Sequence, residues 1–145
     1  MSESIVLCST IYRDGEKIPV PADKLTFRPS VYGVLLQNDR VLLHGYMDGF
    51  DFPGGGLNPG ESLKEGLQRE FLEETGITVD VGKLLYVTQD FFIHPATQKP
   101  YHTVLFYYAC SNPRGEISTE FFDEHEKAVA RAAEWKQVSE LSGLH

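Results

Sequence analysis

Three glutamates lie close together near the end of one predicted helix: Glu70, Glu73 and Glu74. The helix begins after Ser62, an N-cap residue, and ends before Gly76. At about 100° per residue, Glu70 and Glu74 fall inside the apolar stripe of this helix. Carboxylates spaced three and four residues apart repel each other, and the helix dipole disfavours anions in the last turn. This conflict with the rules of helix stability indicates a functional site.

A bound cation would turn the repulsion between these carboxylates into ligation. The ligands are oxygens, and the helix offers no His or Cys at helical spacing. This donor set argues against zinc and favours Mg²⁺, with Mn²⁺ as the alternative. A solvated acidic helix end is the ordinary interpretation of a Glu-Glu pair, but it does not explain two carboxylates within the apolar stripe.

The spacing of these residues resembles the complete signature of the Nudix hydrolases, in particular MutT-like members. The signature covers residues 55–77 and consists of Gly55, Glu61, Arg69-Glu70-Phe71, Glu73-Glu74 and Gly76-Ile77. So many fixed positions at fixed spacings make a chance match very rare. A weaker resemblance extends to Phe52-Pro53-Gly54 and to Glu134-Trp135.

The resemblance implies a role for each residue of the motif. Glu70, Glu73 and Glu74 are expected to hold Mg²⁺ together with the carbonyl of Gly55, while Arg69 and Glu61 orient the site through ion pairing. Many members of the family take a further acidic ligand or base from the loop before the last strand. The candidates in that loop are Glu120, Asp123, Glu124 and Glu126, of which we choose Glu124. The general base is then either Glu70 or a residue of the 120–126 loop.

The implied reaction is hydrolysis of a nucleoside diphosphate linked to another group, and the substrate is a nucleoside triphosphate or else ADP-ribose or a nucleotide sugar. Expected substrate contacts are aromatic residues of the glycine-rich segment and polar or aromatic residues of the 94–101 loop: Tyr46, Phe50, Phe52, Gln98 and Tyr101. A non-catalytic, nucleotide-binding regulatory module is the alternative. Such modules usually lose motif acids, which this chain retains.

Length and composition favour a single domain over residues 1–145, since 145 residues with 41% hydrophobic content can bury a core. The formal net charge of −8 disfavours stable nucleic-acid binding, although it permits a nucleotide substrate. The sequence shows neither a signal peptide nor an apolar run of membrane-spanning length, so we expect a cytoplasmic protein with reduced cysteines and no membrane contact.

Strand-like segments flank the motif helix on both sides, which predicts an α/β chain with a mixed sheet. The segments are a hairpin over residues 5–20 and strands at 31–37, 40–46, 78–81, 83–93, 102–110 and 135–138, with residues 22–29 as a connection and Arg28 as a surface residue. The alanine-rich stretch before Trp135 is either helical or irregular. The resemblance sharpens the fold to an α/β/α sandwich with the motif helix on one face of the sheet, and it makes the hairpin a candidate contact for a homodimer.

Overall fold

A computed structural model of the chain describes residues 4–10, 16–46 and 49–143. These segments contain nine strands and two α-helices. The strands are β1 Ile5–Thr10, β2 Lys17–Pro21, β3 Thr26–Gln37, β4 Arg40–Tyr46, β5 Gly49–Asp51, β6 Gly54–Gly56, β7 Ile77–Ile93, β8 Pro100–Gly115 and β9 Ala130–Gln137, and the helices are α1 Leu63–Thr75 and α2 Glu124–Val129. Short 3-10 turns occupy Ala22–Lys24 and Val138–Gly143.

The strands form a mixed sheet in the order β2-β1-β7-β8-β3-β4-β5, with β6 paired to β3 and β9 paired to β4. Two pairs are parallel, β1 with β7 and β3 with β8, and the remaining pairs are antiparallel. The parallel ladder places Val31 opposite Phe106, and the short strand β6 places Gly55 beside the same Val31. The glycine-rich segment therefore lies beside β3, which also pairs with β8 and β4.

Helix α1 has the ends that the sequence predicts. The Ser62 side chain accepts a hydrogen bond from the Glu65 amide while the Glu65 side chain accepts one from the Ser62 amide, which completes a capping box. Gly76 ends the helix with φ of 82°, a left-handed conformation that glycine adopts without steric cost. Both ends of the helix are thus held by local hydrogen bonds before any packing is considered.

The apolar face of α1 packs on the sheet through Leu67 and Phe71, both fully buried. A Cβ atom at Gly33 would lie 2.9 Å from the Phe71 ring, so β3 and α1 approach each other closely at this glycine. Burial of a leucine and a phenylalanine stabilises the fold by about 2–3 kcal/mol each. This packing holds the charged face of the helix in a fixed orientation.

Residues of β3 alternate between the two faces of the sheet. Val31 and Leu35 are buried in the core cluster that includes Leu67 and Phe71, so they face α1. Tyr32 lies between them in sequence and therefore projects from the opposite face. The strand thus contributes to the core on one side and carries a tyrosine on the other.

Several boundaries differ from the sequence-based prediction. Strand β3 begins at Thr26 rather than near residue 31, so most of the expected connection is strand. The two expected strands on either side of Gly82 form the single strand β7, with register shifts against β8 around residues 81–84. The alanine-rich stretch is divided between the six-residue helix α2 and strand β9. The expected Asp14-Gly15 turn lies outside the described residues.

The paired strands β1 and β2 confirm the hairpin, and strands β3 and β4 confirm the pair that leads to the motif. None of the helices in the described part of the chain combines the length and the hydrophobicity needed to cross a membrane.

Candidate active site

Glu74 is a buried carboxylate with a fixed position. It is 2% exposed, and its Oε1 accepts a hydrogen bond of 2.6 Å from the backbone amide of Gly54. Its Oε2 lies 3.4 Å from Nε2 of His44, which is 1% exposed on β4. The glycine-rich segment and strand β4 therefore contact the two oxygens of one helix carboxylate.

A second carboxylate, Glu126, lies beside Glu74. Asp123 caps α2, and Glu126 at the third helical position accepts a hydrogen bond from the Asp123 amide. This capping box turns Glu126 inward, where it is 6% exposed. One ligand atom each of His44, Glu74 and Glu126 lies within 4.8 Å of the others. Three buried side chains with lone pairs therefore converge on one point.

Burial alters the ionisation of this cluster. Burial lowers the pKa of His44 to about 4, so the imidazole is neutral at physiological pH. Burial also raises the pKa of Glu126, although hydrogen bonds from the Asp123 amide and with the Glu74 side chain act in the opposite direction. Two buried carboxyl groups in hydrogen-bond contact must share a proton or hold a cation, because two unshielded negative charges at that distance are unfavourable.

Glu70 lies one helical turn before Glu74 and faces the glycine-rich segment. A Cβ atom at Gly55 would lie 2.9 Å from the Glu70 carboxyl carbon and both of its oxygens, so only glycine leaves room for the carboxylate there. Burial raises the pKa of Glu70 to about 7, with the charge of Arg69 opposing the shift and that of Glu73 adding to it. The carboxylate and the Gly55 backbone are therefore neighbours.

Arg69 is the cation that joins the acidic residues of the motif. Its Nε and Nη2 donate to the two oxygens of Glu61 at 2.6 and 2.8 Å, and its Nη1 contacts Glu70 at 3.1 Å and Glu73 at 3.3 Å. Nη2 also donates to the Gly56 carbonyl at 3.2 Å. The two-pronged contact, supported by the Asn58 amide, lowers the pKa of Glu61 to about 2. One guanidinium thus links both ends of the motif.

Arg28 stabilises the loop before α1 and is not the plain surface residue that the sequence suggests. Its Nε donates to the Leu57 carbonyl at 2.9 Å, and Nη2 lies 3.4 Å from the Asn58 side-chain oxygen. A Cβ atom at Gly56 would collide with the Arg28 guanidinium. The sequence predicts a connection at residues 22–29, whereas Arg28 lies on β3 with its side chain against the loop before α1.

The structure brings Glu61, Arg69, Glu70, Glu73, Glu74 and the Gly55 backbone together, but it leaves Glu124 apart. Glu124 occupies the first position of α2, where its side chain is 93% exposed and pairs with Lys127 at 3.2 Å. Glu126, two residues later, occupies the buried position beside Glu74. The physical reason is the Asp123 capping box, which fixes the rotation of α2 and turns its third position toward the core.

The expected substrate contacts are scattered. Phe50 lies on β5 under two cations, Arg131 and Lys136, at 4.9 and 4.6 Å from its ring centre. Phe52 packs edge-on against Tyr107 at 6.0 Å. The side chain of Tyr46 lies outside the described side chains.

The residues chosen from the 94–101 loop lie far from the motif. Tyr101 is opposite Thr26 on β3, whereas Gly55 is opposite Val31, five residues along the same strand. At about 3.3 Å per residue the two positions are about 17 Å apart. Gln98 lies in the turn beyond Tyr101, where its side chain donates to the Pro95 carbonyl. The structure therefore does not place these two residues beside the carboxylates.

Sequence reasoning missed His44, which contacts Glu74 from β4. It also missed Asp51, which lies opposite His44 on β5, and Tyr32 of β3, which lies opposite Gly54. Burial and the charge of Asp51 raise the pKa of Tyr32, and Glu74 and Glu70 add to the effect. A histidine inside the apolar run of β4 was the available signal for His44. Tyr32 and Asp51 carried no such signal, because their approach depends on the pairing of strands distant in sequence.

The arrangement suits a hard divalent cation. Carboxylate oxygens of Glu70, Glu73, Glu74 and Glu126 and the backbone at Gly55 supply the oxygen ligands that Mg²⁺ and Mn²⁺ accept. Arg69 neutralises part of the negative charge without entering the His44 cluster. A phosphate-bearing ligand that shares a cation with these carboxylates is the chemistry this arrangement supports best.

Comparisons with known proteins agree with this geometry. The NUDIX domain profile matches residues 26–145. The chain is 37% identical over 78 residues to an RNA pyrophosphohydrolase of Teredinibacter turnerae, covering 50% of this chain and 45% of that protein. An RNA pyrophosphohydrolase of Pseudomonas putida is 36% identical over 77 residues, covering 50% and 48%. The chain therefore spans about half the length of the curated relatives it matches.

Solved structures show the same fold. A MutT NUDIX hydrolase from Burkholderia pseudomallei superposes with a TM-score of 0.62 at 22% identity, covering 79% of this chain and 85% of that one. A Mutator MutT protein from Bacillus halodurans gives 0.63 at 26% identity, covering 81% and 72%. These neighbours confirm the predicted α/β/α sandwich. Since the family profile covers most of the chain, and the helix, its caps and the motif residues are all in place, the protein belongs to the NUDIX domain family.

Proposed function

We propose that this protein is a metal-dependent pyrophosphohydrolase that cleaves a phosphoanhydride bond of a nucleoside diphosphate linked to another group. The observation that carries the proposal is the convergence of Glu70, Glu74 and Glu126 beside the glycine-rich segment. Buried carboxylates in contact are costly for a structural protein and useful for holding a cation against phosphates.

Mg²⁺ is the proposed cofactor, with Mn²⁺ as a substitute, and Glu70, Glu73, Glu74 and the Gly55 carbonyl are the proposed ligands. Glu126 replaces Glu124 as the ligand from the segment before β9, because Glu126 is the one that lies beside Glu74. When bound, the cation would neutralise phosphate charge and lower the pKa of the attacking water.

Side chains of the motif hold the loop and helix in position, and a carboxyl group accepts a proton. Arg69 and Glu61 hold the motif loop against α1, so that the Gly55 backbone and Glu70 stay in contact. We infer that either Glu70 or Glu126 accepts the proton of the attacking water. Glu70→Gln and Glu126→Gln separate these roles, since only loss of the base should be compensated in part by raising the pH of the assay.

The substrate is proposed to be a nucleoside triphosphate, or else ADP-ribose or a nucleotide sugar. The relatives that match half of the chain are named RNA pyrophosphohydrolases, so a triphosphorylated RNA end is a further candidate. The formal charge of −8 favours a small nucleotide over a long polyanion.

Product analysis with Mg²⁺ tests the proposal. The panel contains nucleoside triphosphates, ADP-ribose, nucleotide sugars, dinucleoside polyphosphates and an oligonucleotide with a 5′-triphosphate. The expected result is cleavage of at least one class, lost in Glu74→Gln. If no member of the panel is cleaved while calorimetry shows nucleotide binding, the alternative of a non-catalytic binding module replaces the enzyme.

Four sequence-based expectations remain proposals: one domain over residues 1–145, a cytoplasmic location, a homodimer formed through the hairpin, and no stable nucleic-acid binding. Ile5 and Leu7 of β1 are 58% and 60% exposed, which is consistent with a contact at that hairpin. Sedimentation of the wild-type protein and of Leu7→Lys would test the dimer, because the charge should shift a real dimer to monomer.

A further inference from the structure

A row of three tyrosines crosses three neighbouring strands on the sheet face opposite α1. Tyr32 of β3 lies opposite Tyr107 of β8, and Tyr107 lies opposite Tyr86 of β7. The Tyr32 and Tyr107 rings are stacked with centres 5.4 Å apart, and the Tyr107 and Tyr86 centres are 6.1 Å apart. We call Tyr32, Tyr107 and Tyr86 the tyrosine row.

The row is open to solvent at its outer end. Tyr86 is 62% exposed, and Tyr107 and Tyr32 are partly buried. Phe52 closes the other side by packing edge-on against Tyr107 at 6.0 Å. A set of rings that existed only to fill the core would be covered, whereas this one presents aromatic surface to solvent.

The row begins at the proposed phosphate site. Tyr32 lies opposite Gly54 on β6, and the Gly54 amide donates to Glu74. The next residue, Gly55, lies next to the Glu70 carboxyl group. Tyr32 projects from the sheet face opposite α1, so a ligand whose phosphates lie at Glu70 and Glu74 would pass the short strand β6 to reach Tyr32 and Tyr107.

Asp51 adds a charged acceptor to this surface. It lies on β5 opposite His44, so its side chain is on the same face of the β4–β5 ladder as the histidine that contacts Glu74. Asp51 is solvent-accessible, and one of its oxygens accepts a hydrogen bond from the Phe52 amide at 2.8 Å. Burial raises the pKa of Tyr32 and of Tyr107, and the charge of Asp51 is the next largest cause for both. Asp51 also directly precedes Phe52, whose ring packs against Tyr107 at 6.0 Å, so the carboxylate lies at the edge of the tyrosine row.

We propose that the tyrosine row and Asp51 form the nucleobase subsite of this protein and that the subsite selects guanine. The inference rests on the proposed function, since it assigns the part of the substrate that the carboxylates do not hold. The tyrosines stack on any base, because every base has an aromatic face. Asp51 supplies the selection.

A carboxylate has two acceptor oxygens and no donor. Guanine offers two adjacent donors on one edge, the N1–H and the 2-amino group, which match the two oxygens. Hypoxanthine keeps N1–H and lacks the amino group, while uracil offers a single N–H flanked by carbonyl oxygens that a carboxylate repels. The predicted order of affinity is therefore guanine, then hypoxanthine, then uracil.

Calorimetry with α,β-methylene triphosphates of guanosine, inosine and uridine tests the inference in the presence of Mg²⁺, because the methylene bridge blocks cleavage between the α and β phosphates. We expect guanosine to bind about tenfold more tightly than inosine, the effect of one hydrogen bond to a charged acceptor. Asp51→Asn should remove this preference, because the amide presents a donor where the base also has one.

Tyr86→Ala should weaken all three analogues by about tenfold through loss of stacking. The matched control is Phe27→Ala, which also removes an exposed aromatic side chain from the same sheet; Phe27 is 63% exposed. Phe27 and Tyr32 are five residues apart on β3, so their side chains project from opposite faces. This control should bind like the wild type. Melting curves show whether each variant is folded.

Equal affinity for the three bases, an unchanged preference in Asp51→Asn, or equal effects of Tyr86→Ala and Phe27→Ala would overturn the inference. So would the absence of binding by all three analogues. These outcomes are distinct from failure of the proposed function, which is the absence of Mg²⁺-dependent cleavage across the substrate panel. Cleavage without base preference would leave the proposed function standing and refute the guanine subsite.

Discussion

Gly55→Ala is a substitution that should separate the fold from the chemistry. The backbone at Gly55 does not have a positive φ, so alanine is compatible with its conformation. The added Cβ would lie 2.9 Å from the three carboxyl atoms of Glu70. Carbon and oxygen atoms in contact normally lie about 3.5 Å apart, so the carboxylate must move by roughly half an ångström or more. The clash involves the far end of a flexible side chain and not the backbone.

Gly55→Ala should affect stability much less than it affects turnover. The free energy of unfolding should change by less than about 1 kcal/mol, because alanine restricts the unfolded chain while Glu70 turns aside. Turnover should fall by about ten- to a hundredfold, since displacement of a reacting group by 1 Å costs about a hundredfold. Affinity for the cation should fall as well, because Glu70 is a proposed ligand.

The assay compares Gly55→Ala with Gly49→Ala. A Cβ atom at Gly49 has nothing within 4 Å among the described residues, so this variant adds the same methyl group in open space on β5. Thermal melting, kcat with Mg²⁺ and Mn²⁺ binding by electron paramagnetic resonance are measured for both. The reasoning is refuted if Gly55→Ala binds Mn²⁺ and turns over substrate like Gly49→Ala.

Three further predictions concern the motif. Glu74→Gln should lower Mg²⁺-dependent turnover by at least about a hundredfold. The fold should be unchanged, because the amide oxygen can still accept a hydrogen bond from the Gly54 amide. Kinetics and melting check this, and unchanged turnover would reject the metal assignment. Arg69→Lys should destabilise the protein by about 1 kcal/mol and lower turnover by about tenfold, because an ammonium cannot reproduce the two-pronged contact with Glu61; wild-type melting and kcat would contradict this. Glu70→Gln should be more stable than the wild type, by a difference in the free energy of unfolding that grows as pH rises from 4.5 to 7 and reaches at most about 3 kcal/mol. Denaturation at each pH in the presence of a chelator measures this difference.

The sign of the last prediction follows from the raised pKa of Glu70. The folded protein keeps the Glu70 proton up to about pH 7, whereas the unfolded chain loses it near 4.5, so the stability due to this group falls as pH rises between the two values. His44, with a pKa lowered to about 4, acts in the opposite direction over much of the same range. The difference between the two proteins is therefore informative, and the wild-type curve alone is not. A constant difference would contradict the raised pKa.

The helix and the clustering of its carboxylates could be predicted because their signals are local. The Ser62 cap, the Gly76 stop and the position of Glu70 and Glu74 in the apolar stripe all depend on residues within a few helical turns. The boundaries of α1, Leu63–Thr75, agree with the prediction to the residue.

Features that depend on distant strand pairing could not be predicted in the same way. Asp51 and Tyr32 approach the site because β5 pairs with β4 and β6 pairs with β3. The choice between Glu124 and Glu126 depends on the rotation of a six-residue helix, where a shift of one position turns a side chain by about 100°. A single sequence does not encode these relations at any fixed spacing, so the sequence favours Glu124, whereas Glu126 is the residue that lies beside Glu74.

The contacts of Arg69 bear on the order in which this protein is assembled in the cell. Because one guanidinium already compensates Glu61, Glu70 and Glu73, the helix does not require a cation before it can fold. This differs from small zinc domains, in which metal binding supplies the folding free energy. With the proposed cation, folding and metal loading would be separate events, and the concentrations of free Mg²⁺ and Mn²⁺ around a finished protein would decide which ion is acquired. A lasting change in the cellular pool of these ions would therefore alter the activity of molecules already made, without new synthesis.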